Sequence, residues 1–251
     1  MKTWIKTLAV GTVLALGLTA CDDGTPDLID DAALRADAAL VAADAMFQDL
    51  AAMQPPTTLG LAGAGPELGP TEGGGSYNWT RNVTFYVDDV PQDAYDALET
   101  DSIHVEWDFS REAEHTFWSA DIERHRDMWI TGLEGEETER TWNGIGNGEV
   151  FKSQHPDDGV ERTYNMTTEA EHSDVVRKVP RAENPYPVSG TITRHIHAVV
   201  TENGEVVGER DVTTVITFDG TQLATVTVGE DSWTIDLAQR GLRQRFGRKG
   251  G

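Results

Sequence analysis

From Ser76 to about Leu237 the chain runs in long stretches of alternating apolar and polar residues, broken by short turn signals. A period of two is that of a β-strand with one face buried. The alternation is clearest in Thr221 to Val228 and in Trp233, Ile235 and Leu237. Asn203-Gly204 separates residues 192–202 from 205–218, and Asp219-Gly220 precedes 221–228. Both dipeptides tolerate the left-handed backbone that tight hairpins need. Asp157-Asp158-Gly159 and the segment from Gly132 to Gly135 mark further turns. The pattern predicts strands near 77–87, 102–110, 116–131, 137–152, 160–178, 188–202, 205–218, 221–228 and 232–237, with 88–99 as a longer, part-helical connection. Short turns between successive strands make neighbours antiparallel. A fifteen-residue strand extends about 50 Å, and long strands coil. The expected fold is therefore mainly β: a long-stranded antiparallel meander, forming a curved sheet, half-barrel or barrel, with one N-terminal helix.

That helix is expected over residues 27–53. Ile29, Ala33, Ala36, Leu40, Ala43, Phe47 and Leu50 recur at alternating steps of four and three, the spacing of a coiled-coil seam. Acids cluster at its start and Pro55-Pro56 stops it. Residues 54–75 are rich in glycine and proline with little bulky apolar material, which reads as a linker. The organisation expected is a leader over 1–20, an N-terminus and helix over 21–53, the linker over 54–75, a β domain over 76–237 and a basic tail over 238–251. The tail holds Arg240, Arg243, Arg245, Arg248 and Lys249 with no acid after Asp236, and its glycines suggest a free or loosely docked segment.

The leader has a short basic start, Met1 to Lys6, and an uncharged stretch from Thr7 to Ala20. This is the make-up of a secretory signal peptide, too short for a stable membrane-spanning helix. Leu18-Thr19-Ala20-Cys21 resembles the lipobox of bacterial lipoproteins, and the chain's single cysteine falls at the position the motif requires. The resemblance implies that Cys21 becomes the N-terminus and the site of lipid attachment, palmitate included. Several acyl chains on one residue anchor firmly where a single chain holds reversibly. The location implied is the bacterial cell envelope, lipid-anchored and facing the periplasm or the exterior. Asp22 resembles an inner-membrane retention signal, a rule that differs between lineages.

The charge bounds partners. Twenty Lys plus Arg against 43 Asp plus Glu give a formal net charge of −23, which argues against nucleic acid because phosphate contacts need a basic face. One cysteine excludes an intrachain disulfide and a cysteine-based zinc site. Acidic pairs recur, but none sits in a spaced calcium loop. No glycine-rich phosphate loop, nucleophile elbow or His-Glu-x-x-His motif is present. No cofactor is therefore expected, and the sequence leans against an enzyme. The run from Trp142 to Gly148 is glycine-rich inside a strand pattern, which reads as a flexible or bulged strand.

Two constellations remain. Arg124, Arg126, Arg140, Arg162 and Arg194 share strand parity with apolar neighbours, among them Trp142 and Tyr164. In register they would line one face, and guanidinium forks match carboxylate or phosphate. His195 and His197 flank Ile196 and point the same way, a weak half-site for a metal. A two-residue turn at Asn203-Gly204 would place Arg210 opposite His197 and Val212 opposite His195.

The function expected from these features is that of a membrane-anchored, non-catalytic envelope binding or scaffold protein, acting through the concave sheet face. The alternatives are a carrier of an amphiphilic or anionic ligand in a curved-sheet cavity, and a hydrolase whose carboxylates the sequence does not locate. Expected partners are the membrane, through the anchor, and an envelope protein or amphiphilic ligand. The layout of helix and curved meander loosely resembles the LolA/LolB lipoprotein carriers, in arrangement only.

Overall fold

The computed structural model describes residues 31–53, 77–115, 118–135, 137–154, 161–238 and 247–248. The leader, Cys21, the linker, Asp157-Asp158-Gly159 and most of the tail lie outside these residues. One helix, α1 (Asp31–Ala52), is followed by β1 (Tyr77–Val87), β2 (Val90–Gln92), β3 (Ser102–His115), β4 (Trp118–Thr131), β5 (Glu139–Gln154) and β6 (Arg162–Lys178). Then come β7 (Ser189–Glu202), β8 (Glu205–Thr217), β9 (Leu223–Val228), β10 (Asp231–Asp236) and β11 (Gly247–Arg248). Among the described residues no helix is long and apolar enough to cross a membrane.

All the strands belong to one antiparallel sheet in the order β11-β10-β9-β8-β7-β6-β5-β4-β3-β1-β2. The sheet is open: β2 and β11 are its edges, so the meander does not close into a barrel. The strands that form its centre run to 14, 16 and 17 residues, as the long alternating runs require. Gly247-Arg248 of the basic tail pairs with Trp233 and Thr234, giving the sheet its last, two-residue strand.

Turn chemistry explains the hairpins. Asn203 and Gly204 both take positive φ, 51° and 86°, which matches the twist of the strands they join. The connection after β1 departs from expectation. It contains no helix but opens with a hairpin at Asp88-Asp89, with φ of 50° and 61°, that returns the chain along β2. Two aspartates tolerating left-handed backbone stand in for the usual Asn-Gly. Beyond Phe218, Asp219 accepts hydrogen bonds from the Thr221 amide (3.0 Å) and hydroxyl (2.7 Å), so Asp219-Gly220 belongs to a longer loop and not to a two-residue hairpin.

Bulges break the parity twice. In β6 the extra residue falls at Ser173–Asp174, where Asp174 has φ 49°. His172 and Val175 therefore face the same side although their numbers differ in parity. In β8 a second bulge opposite Val200 and Thr201 shifts the pairing with β7 by one residue.

Helix α1 lies on one face of the sheet, against β7, β8, β9 and β10. Its buried stripe is Ala39, Ala42, Met46, Asp49 and Met53, one residue behind the expected seam, and Leu40 is 36% exposed. The expected seam meets the sheet in part, since Ala43 and Leu50 are buried as well and Phe47 packs against the core, while a carboxylate, Asp49, occupies a central position of the buried stripe. Met46, Leu50 and Met53 join a large apolar cluster with Ile103, Met128, Ile130, Trp142, Ile192 and Ile216. Nearer the helix start, Ala38 and Val41 meet a smaller one around Tyr164, Met166 and Ile196.

Candidate functional site

The strand register places the arginines of the central strands on the helix-bearing face. One lateral row runs Arg81, Trp107, Arg126, Gly146, Ala170, Arg194, Thr214 from β1 to β8. The next runs Trp79, Phe109, Arg124, Gly148, Thr168, Ile196, Val212. Arg140 and Arg162 share this face with Trp142 and Tyr164, toward the strand ends. Small residues lie between the arginines. A Cβ on Gly146 would stand 2.3 Å from Arg126 Cδ, and one on Gly148 would stand 3.0 Å from Arg124 Cγ. The glycine run of β5 thus leaves room for guanidiniums to lie flat along the sheet.

Helix α1 supplies what the arginines bind. Asp49 is buried, and its Oδ1 accepts from Arg126 Nε at 3.0 Å. Its Oδ2 accepts from Arg194 and from His172 Nε2, the latter at 3.0 Å. Arg126 Nη1 also donates to the carbonyls of His125 (2.7 Å) and Asn147 (3.0 Å). Arg124 donates to Gln48 Oε1 and, at 3.0 Å, to Asp44 Oδ2. Arg177 donates to the carbonyl of Leu50 at 3.2 Å, capping a helix end that has no basic residue of its own in its last turn. Near the helix start Arg35 Nε meets Asp231 at 2.7 Å. Elsewhere on the face Arg140 pairs with Glu137 at 2.6 Å, and Arg162 with Glu202.

The electrostatics follow. Burial alone would push the Asp49 carboxyl up, but the Arg126 and Arg194 guanidiniums and His172 together hold it far below the carboxylate range. Burial brings Arg194 down to about 10 and Arg177 to about 9. It also lowers His172, so the ring is neutral and its Nε2–H donates to Asp49. One carboxylate between two buried guanidiniums leaves the layer with surplus positive charge. Arg194 Nε and Nη1, Arg126 Nη2 and His172 Nδ1 find no protein partner there. Asp44, Gln48 and Asp49 were not singled out from sequence. The only trace of them is polar residues where the helix should be apolar.

The opposite, outer face has a different composition. Among the described residues of β1 and β3–β8 it carries no arginine, and one lysine, Lys178, at the end of β6 opposite Glu139. Acids stand directly across from acids at Glu106 and Asp127, Glu112 and Asp121, and Glu123 and Glu149. Histidines meet acids on the next strand: His104 with Asp127 (2.6 Å), His125 with Asp108 (2.9 Å) and His197 with Asp211 (2.9 Å). The β8 bulge puts Asp211, in place of Arg210, opposite His197, and Thr213, in place of Val212, opposite His195. His195 hydrogen-bonds Thr213 at 3.0 Å. His172 of the adjoining β6 faces the helix and so cannot join His195 and His197. These two histidines and Asn147, Glu149, Glu169 and Asp211 line a shallow depression of about 460 Å³. Three comparisons, with protein-family models, curated proteins and solved structures, found no match to this chain.

Proposed function

We propose that this chain is a lipid-anchored protein of the bacterial cell envelope, held by acyl chains on Cys21, that binds or scaffolds another envelope protein without catalysis. Its working surface is the outer face of the sheet, and the partner it fits presents a basic surface. The observation that carries this reading is the segregation of charge: the arginines of the central strands are turned to α1, while the outer face collects acids and histidines with scarcely a cation. An extended acidic face steers and selects basic partners. A carrier of amphiphiles would need the arginines beside a vacant apolar cavity, whereas they are engaged by Asp44, Gln48 and Asp49. Asp49, the deepest described carboxylate on that face, is buried and locked between guanidiniums.

The test uses the intact protein in its own envelope. A photo-crosslinking residue at Thr167 or Thr213 should give one discrete adduct, and the charge reversals Glu149→Lys and Glu169→Lys should abolish it while leaving thermal stability unchanged. An adduct indifferent to these reversals would overturn the charge-matched docking. Cys21→Ala should move the protein to the soluble fraction. Retention in the membrane at high salt would overturn the anchor.

A further inference from the structure

We infer that His104, Glu106 and Asp127 on the outer face form a binding site for one divalent transition-metal ion, with Zn²⁺ as the natural probe. His104 and Glu106 lie two apart on β3 and so project together. Asp127 of β4 is the direct cross-strand partner of Glu106. Each offers one ligand atom, and these atoms all lie within 4.8 Å of one another. Ligand atoms on a tetrahedral zinc with bonds of 2.0–2.1 Å stand about 3.4 Å apart, a distance that small side-chain rotations reach.

Two independent features point to a cation. Glu106 and Asp127 are like charges held face to face, an arrangement that costs stability unless something positive lies between. The neighbours in their row are Asn82 and Ile145, and the next residues along the strands are Asp108, His125 and Trp129 as well as His104. His125 is directed at Asp108 (2.9 Å). Among the described residues of β1, β3, β4 and β5 no arginine or lysine shares this face, so the role falls to His104 or to an ion.

The second feature is how His104 is held. Its ring stacks on Trp129 with centroids 4.7 Å apart and 22° between planes, and Trp129 packs in turn on Tyr86 at 5.2 Å. The stacked ring aims Nε2 at Asp127 Oδ1, 2.6 Å away. An imidazole nitrogen and two carboxylate oxygens on paired strands make a three-ligand site with one or more positions left for water or a partner's side chain. The half-buried setting of His104, with 20% of its side chain exposed, raises the attraction above that of a fully hydrated acidic pair.

The experiment is a calorimetric titration of the chelator-treated full chain with Zn²⁺, followed in parallel by tryptophan fluorescence. One equivalent should bind first, with a fluorescence change that Trp129→Phe removes while calorimetric binding persists. Affinity for that first equivalent should fall at least about tenfold in His104→Ala, Glu106→Gln and Asp127→Asn. A first equivalent of unchanged affinity in His104→Ala, or one lost only in His195→Ala/His197→Ala, would overturn the site. So would the absence of any stoichiometric Zn²⁺ uptake, which would leave His104 as a hydrogen-bond partner of Asp127 and nothing more.

Discussion

On the helix-bearing face, charge is used inside the molecule. Arg124, Arg126, Arg177 and Arg194 reach from the sheet to carboxylates, an amide and a carbonyl of α1, and apolar clusters seal the layer on both sides. On the outer face, a few ångströms of backbone away, charge is left on the surface in rows of Asp, Glu, His, Thr and Asn. The same strands carry both patterns because alternation sends neighbouring residues to opposite sides. The difference shows that an arginine-lined face is not by itself a ligand site. A chain can supply its own anion, and the face that stays open is then the one available to partners.

The largest effect should come from the buried carboxylate. Asp49→Ala strands Arg126 and Arg194 without their counter-ion, and losing one member of a buried ion pair costs about 3–5 kcal/mol. Denaturant unfolding measures this, and a loss under about 1 kcal/mol would break the contrast between the faces. Gly146→Ala should cost about 1–3 kcal/mol in the same assay, because the added methyl needs the space that Arg126 occupies. Replacing the whole set, Asp49→Leu with Arg126→Met and Arg194→Met, should fall near wild-type stability or above it, since burying paired charges gains little over apolar packing. That result would separate the penalty of an orphaned charge from the value of the intact triad.

Acid should act through the helix-bearing face as well. His172 has a lowered folded pKa, so the unfolded chain binds more protons just below about pH 6.5, and stability falls with pH there. The depressed Asp49 carboxyl adds stability that is fully present above about pH 4 and is lost as pH falls further. Unfolding free energies measured from pH 7 to pH 3 should drop in these two steps, and Asp49→Asn should flatten the lower one. The smallest effect belongs to the outer face: His195→Ala/His197→Ala should change stability by less than about 0.5 kcal/mol, whatever it does to partner binding.

Much of this architecture could be read from alternation and turn chemistry. The meander, the long strands and the common face of Arg124, Arg126 and Arg194 follow from a period of two. What escaped has local causes. The bulge at Ser173–Asp174 and the one opposite Val200 change parity by one residue, which no hydrophobic pattern marks, and the second decides that Asp211 meets His197. Asp49 escaped because helix faces are sought by their apolar residues, and here a carboxylate lies at the centre of the contact. The pairing of Glu106 with Asp127 is a register fact joining two strands, and neither segment announces it alone.

The central claim is that α1 is the permanent occupant of the arginine face, and amide hydrogen exchange on the whole chain tests it most directly. The account predicts that amides of the second half of α1, from Ala43 to Ala52, are protected as strongly as those of β6 and β7, and that Asp49→Ala exposes the helix before the sheet. Rapid exchange along α1 in the wild-type protein, beside a fully protected sheet, would mean that the arginines are open to a ligand and would contradict it.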